Sequence, residues 1–181
     1  MNAAQRATLR DVCNRVLGWQ PDRVIWGGTP RPHLGGLIDS TRLGLLELNM
    51  VSSVPMTGHE EKRATVAGSG VGAVRTVTTH LSRITVVQAD IYCVDPAAHV
   101  EDYCHDLAAG IQDDARIAEL EAANISFVES GLVQPLPFKA DGALFSRAAL
   151  ELTFHCTWER VDRTAESGVI VSTYPTTPYG D

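Results

Sequence analysis

The chain has 181 residues, 44% of them apolar and 20% charged, with a net charge of −7. That balance suits one soluble globular domain, 1–181, able to bury a core without staples. No apolar run approaches a membrane span, the first residues lack a secretory signal, so synthesis in the cytosol is expected, and without clustered Lys and Arg a nucleic-acid ligand is excluded.

Residues 2–18 read as an amphipathic helix, with Leu9, Val12, Cys13, Val16 and Leu17 at helical spacing and Gly18 as its terminator. Val24-Ile25-Trp26 is a short apolar run stopped by Gly27-Gly28, and Pro30 and Pro32 forbid both helix and central strand beyond it. Residues 42–50 alternate as a strand. From 52 to 72 the period disappears, which predicts a long flexible loop. Residues 74–80 alternate again and either extend the next strand or form a short one. Residues 83–94 form a strand whose apolar phase shifts at Val86-Val87, which predicts a bulge or burial on both faces.

Asp95-Pro96 reads as an N-cap followed by a first helical residue. The helix it opens carries Val100, Tyr103, Cys104, Leu107, Ala108 and Ile111 on one stripe, and a second helix spans 115–123. Between 95 and 121 the chain holds Asp95, Glu101, Asp102, Asp106, Asp113, Asp114, Glu119 and Glu121 against Arg116 alone. Such a segment is a solvated face, or a surface that repels DNA or meets a basic partner. Residues 125–136 read as a short or edge strand running into Pro135 and Pro137, and 139–142 as an Asp-Gly turn.

The segment 144–161 organises the rest. Ala148, Leu150, Leu152, Phe154, Cys156 and Trp158 alternate with Ala149, Glu151, Thr153, His155, Thr157 and Glu159, the pattern of a strand with one face on a core and one in water. Straight, it would run roughly 60 Å, whereas a domain of this size is about 32 Å across. The strand must therefore bend, bulge or project, and a projecting strand offers its backbone to a neighbour. A polar turn at 162–168, a last strand at 169–171 and an extended tail at 173–181 complete the reading. Strands outnumber helices, giving an α+β fold: a mixed, mostly antiparallel sheet with helices on one face and a long C-terminal strand.

Little in the chain points to chemistry. Gly68-Ser69-Gly70-Val71-Gly72 lacks the flanking strand, helix and Lys of a phosphate loop. His59-Glu60 lacks the second His of a zincin. His99 with Asp102, and Glu101 with His105, share helix faces pairwise without joining into one metal site. His155 reads as a polar strand contact. Cys13, Cys93, Cys104 and Cys156 have no metal or redox spacing and read as buried thiols. No catalytic, cofactor-binding or metal-binding set is assigned, and no cofactor is expected.

Several signatures fall in a familiar order. Val24-Ile25-Trp26 followed by Pro30-Arg31-Pro32, then Arg83-Ile84-Thr85-Val86-Val87-Gln88 before an alanine-bearing helix, then Arg147-Ala148-Ala149-Leu150-Glu151-Leu152-Thr153-Phe154, then Gly168-Val169-Ile170, together resemble the phage neck or tail-terminator family over about residues 20–172. The loop at 52–72, Gly27-Gly28 and the tail after Thr173 do not match it. The resemblance implies a structural virion protein of a bacteriophage, not an enzyme. It would be a homo-oligomeric, six-fold ring that caps the tail tube protein and joins it to the head-completion or connector protein, with the tail sheath as a further neighbour. DNA would pass through the lumen without specific binding, and no membrane is involved. The place of action would be the tail and neck of the virion, after assembly in the host cytoplasm. The alternatives left open are another head-completion or tail-tube subunit, and a cytosolic α+β small-ligand binder or enzyme.

Overall fold

The computed structural model describes residues 1–19, 21–28, 44–56, 61–67, 74–93, 99–136, 138–140 and 143–165. Helix α1 (Ala3–Leu17) begins in a capping box: the Gln5 amide donates to Asn2 Oδ1 at 2.9 Å, and the Asn2 amide to Gln5 Oε1 at 3.0 Å. Gly18 ends it at φ 64°, a left-handed position that glycine occupies without a Cβ penalty. After a 3₁₀ turn (Pro21–Arg23) come β1 (Val24–Trp26), β2 (Leu45–Pro55), β3 (Glu61–Ala67) and β4 (Val74–Cys93). Two helices follow, α2 (Val100–Ile111) and α3 (Asp114–Ala122), and then β5 (Ile125–Ser130), β6 (Gln134–Pro135), β7 (Phe138–Ala140) and β8 (Ala143–Ala165).

The fold is α+β, with a mostly antiparallel mixed sheet ordered β1-β2-β4-β8-β5, helices packed on one face and a long C-terminal strand. Only β1 pairs in parallel, with β2, among the described strands. At the centre, β4 and β8 run antiparallel without a register break from Val74↔Ala165 to Cys93↔Ser146, about 65 Å at the usual rise. Leu46, Leu48, Val87, Ala89, Ile91, Leu150, Leu152 and Phe154 pack against Leu9, Val12, Cys104, Leu107 and Ile111 in one core. The core phase of β8 is the one that its alternation predicts.

One edge of β4 is occupied twice. Strand β2 covers Arg83–Tyr92, and β3 covers Val74–His80. The core cluster includes no described residue of β3, of β4 before Val87 or of β8 beyond Trp158, and Trp158 itself is only half-buried. The sheet thus has a packed half, the body, and a three-stranded half, β3-β4-β8, that no core residue covers among those described, a tongue of roughly 25 Å.

Several expectations are corrected. The stretch 52–72 is not one loop: β2 continues to Pro55, and β3 fills 61–67. Residues 162–165 are strand, not a turn, because they pair with Val74–Val77. Strand β4 holds no bulge at Val86-Val87. Instead Val51 of β2 is the extra residue opposite that step, while Ile84 and Val86 lie half-exposed on the face away from the core. Helix α2 is described from Val100 with His99 as N-cap, and Asp95-Pro96 lie outside the described residues. The segments 169–171 and 173–181, and the glycine run at 68–72, lie outside the described residues.

Candidate assembly surface

The body anchors β8 and then releases it. Strand β5 covers its second edge from Leu152 to Cys156, and the Thr157 amide donates to the Asn124 carbonyl at 3.0 Å. Asn124 sits at φ 58°, a left-handed turn that Asn tolerates. Gln5, 2% exposed, closes the same corner: Nε2 donates to the carbonyls of Ala123 (3.2 Å), Asn124 (3.1 Å) and Thr157 (2.9 Å). Beyond Thr157, among the described residues, β8 has β4 on one side and no partner on the other. The far edge of β3 is likewise unpaired among the described residues, as is the edge of β2 beyond the bond from Gly27 N to Leu48 O.

These edges carry exposed apolar side chains, with Val51, Val54 and Val66 between 55% and 59% exposed. Directly opposed residues of an antiparallel pair share a face, so the register assigns the tongue two surfaces. One continues the core side and bears Ala64, Val66, Val77, Leu81 and Trp158. The other bears Thr65, Thr76, Thr78, His80 and Ser82. Backbone edges with mixed apolar and hydroxyl faces are chemically suited to strand addition, not to bond making.

The predicted site residues are not brought together. His99, Asp102 and His105 are exposed along α2, and no group of three or more His, Cys, Asp or Glu able to hold a metal occurs among the described residues. His155 lies on the wet face of β8, as its phase predicts, and hydrogen-bonds Ser82 through Nε2. His59 lies outside the described residues. All four cysteines are buried, and burial raises the Cys13 and Cys104 thiols to about 12. The acids of α2 and α3 form an exposed face, tied to the fold through Glu119, which pairs with Arg15 and, at 3.0 Å, with Arg116. Among the described residues, no helix is long and apolar enough to cross a membrane.

A polar network escaped the sequence reading. On the sheet face away from the helices, Asp90, 2% exposed, accepts from Arg147 Nη2 at 2.8 Å, Gln88 Nε2 at 3.0 Å and Asn49 Nδ2 at 3.3 Å. The Arg147 guanidinium lies over the Tyr92 ring, whose hydroxyl donates to Glu47 at 3.4 Å. Removing one member of a buried charge set of this kind leaves the other charge without its partner, at a cost of several kcal/mol. At the root of the tongue a cleft of about 740 Å³ opens between Gln5, Asn124, Ser82, His155, Thr157 and Trp158.

The fold class is therefore an α+β sheet domain with a tongue. No protein-family model matches the chain, and no curated sequence is similar to it. Among solved structures it is distantly similar to the PVC sheath/tube terminator of an extracellular contractile injection system, seen by cryo-EM in the extended state. The TM-score is 0.42 and the identity 9%, over 100% of this chain and 66% of that one, so this chain spans just under two thirds of that protein's length.

Proposed function

We propose that the protein is a ring-forming tail-terminator or neck subunit: a structural part that caps a tail tube, joins it to the head connector and leaves an opening for DNA. The observation that carries this reading is the tongue, a three-stranded ribbon continued well past its own core with both outer edges, those of β3 and β8, unpaired among the described residues. A ring needs one surface that meets a different surface on the next copy, and a ribbon with two unlike edges supplies both. The order of sequence signatures resembling the terminator family supports the same reading. The hydroxyl-bearing face suits a passage through which DNA slides without being gripped.

Negative-stain images of the purified protein, alone and with the tail tube protein, test the proposal. Rings with a central hole are the expected result. Particles that stay monomeric or dimeric in both preparations overturn it.

A further inference from the structure

We infer that neighbouring copies are joined by direct strand addition in the tongue, with β8 of one copy lying parallel to β3 of the next. The inference rests on the ring reading above and specifies its joint.

Topology fixes the direction. Both β3 and β8 run antiparallel to β4, so they run parallel to each other on opposite sides of it. Rotation about a ring axis keeps every strand's direction along that axis. The β8 edge of one copy therefore meets the β3 edge of the next in parallel, and the sheet continues around the ring with three strands from each copy. The lengths agree: β3 has 7 residues, and β8 continues from Trp158 to Ala165 beyond its last bond to the body. A two-fold contact, β3 on β3 or β8 on β8, would instead be antiparallel and would leave the other edge open.

The second copy is the occupant that the geometry favours, because one ribbon carries both halves of the joint and closure uses both edges of the tongue. A foreign strand could fill one edge but would leave the other bare, the arrangement that leads to open-ended aggregation.

The register also assigns a face. Thr65 pairs with Thr76, and Thr76 with Arg163, so positions 65 and 163 share one face of the ribbon, as do 161 and 159. Within one chain β3 and β8 are separated by β4, about 10 Å apart, beyond the reach of a disulfide. Any disulfide between them must link two chains.

The test is cysteine pairing in the full chain under mild oxidation. Thr65→Cys is combined in turn with Glu159→Cys, Val161→Cys and Arg163→Cys, with Thr164→Cys, on the opposite face, as control. Circular dichroism checks that each variant is folded. The expected result is a ladder of multimers on a non-reducing gel for at least one same-face pair, collapsed by reductant and absent for the control. Moving the β3 cysteine from Thr65 to Arg63 shifts the best partner toward the N-terminus of β8, as parallel pairing requires. A shift the other way, or dimers from Thr65→Cys alone, overturns the inference. Rings in the micrographs with no cross-link at any pair overturn the joint while leaving the ring intact; the absence of rings and cross-links alike overturns both.

Discussion

Replacing Gln5 with Glu tests the corner where β8 leaves the body. Gln5 is a near-isosteric site: its Oε1 accepts from the Asn2 amide, while its Nε2 donates to three carbonyls on two other elements. A carboxylate keeps the first role and turns an acceptor toward Ala123, Asn124 and Thr157. Two donor hydrogens are lost to buried acceptors at about 1–1.5 kcal/mol each, and the new charge is buried without a partner, so Q5E is expected to lose about 3–5 kcal/mol at pH 7. The sign of the pH dependence follows from the same geometry. Burial among carbonyls raises the folded-state pKa of the new acid above its unfolded value of about 4.3. Its protonated form is therefore favoured by folding, so the deficit is smallest below the unfolded pKa and grows as pH rises through the folded pKa. Urea titrations followed by circular dichroism at pH 4 and pH 7, each referenced to wild type, measure it. The gap should shrink to about 1–2 kcal/mol at the lower pH, because a protonated acid restores one donor of two. A Q5E protein within about 1 kcal/mol of wild type at pH 7, or with a gap indifferent to pH, would show that this corner is not held by the glutamine.

Three further outcomes are expected. Leu152 is fully buried on the core face of β8; L152D should yield no folded protein and L152A a loss of about 3–5 kcal/mol, while E151A, on the exposed face, should stay within about 0.5 kcal/mol of wild type by urea titration. A Cβ on Gly110 would lie 2.4 Å from Val16 Cγ1, where α2 crosses α1; G110A should cost about 1–2 kcal/mol in wild type and clearly less in a V16A background, where the Cγ contacts are gone and a 3.3 Å approach to the Cβ of residue 16 remains. Burial raises the Cys13 and Cys104 thiols from 9.0 to about 12, so the stability they contribute is complete below pH 9 and is lost as pH climbs toward 12. At pH 10 each should weaken the fold by roughly 1.4 kcal/mol, and C13A should reduce the alkaline slope without abolishing it, since burial also raises the Cys156 thiol.

What the sequence revealed, and what it hid, follows from where side chains are buried. The alternation at 148–158 was legible because Leu150, Leu152 and Phe154 are buried while Glu151 faces solvent. Strand β3 was not: Ala64, Thr65, Val66 and Ala67 are all exposed, and a strand held by backbone bonds alone imposes no period on its residues. The same holds for 162–165, which look like a polar turn yet complete the pairing with Val74–Val77. The phase shift at Val86-Val87 marks no bulge in β4: Ile84 and Val86 lie on the face away from the core, and from Ala89 to Cys93 the strand is buried on both faces, the other reading that the shift allowed. The Asp90–Arg147 pair joins residues 57 positions apart, and only the register of two long strands brings them together. The overlong strand itself pointed to a projecting element before its partners were known.

The tongue also explains why assembly should matter energetically. Ordering a backbone residue costs about 1–2 kcal/mol, and in the body that cost is offset by a shared core. In the tongue, Thr79 is the one buried side chain among those described, so little beyond ladder bonds, worth about 1 kcal/mol each net, opposes it. A ribbon so poorly packed is marginal on its own, and in the free subunit it should open locally long before the body does. Amide hydrogen exchange makes the contrast measurable. In the dissociated protein, amides of β4 from Val74 to His80 should exchange faster than those from Val87 to Tyr92, although both segments are paired on both sides. On assembly, the largest slowing should fall on β3 and on β8 beyond Thr157, where half of the backbone groups gain their first partner. Slowing confined to the exposed acids of α2 and α3 would place the joint on the helices instead.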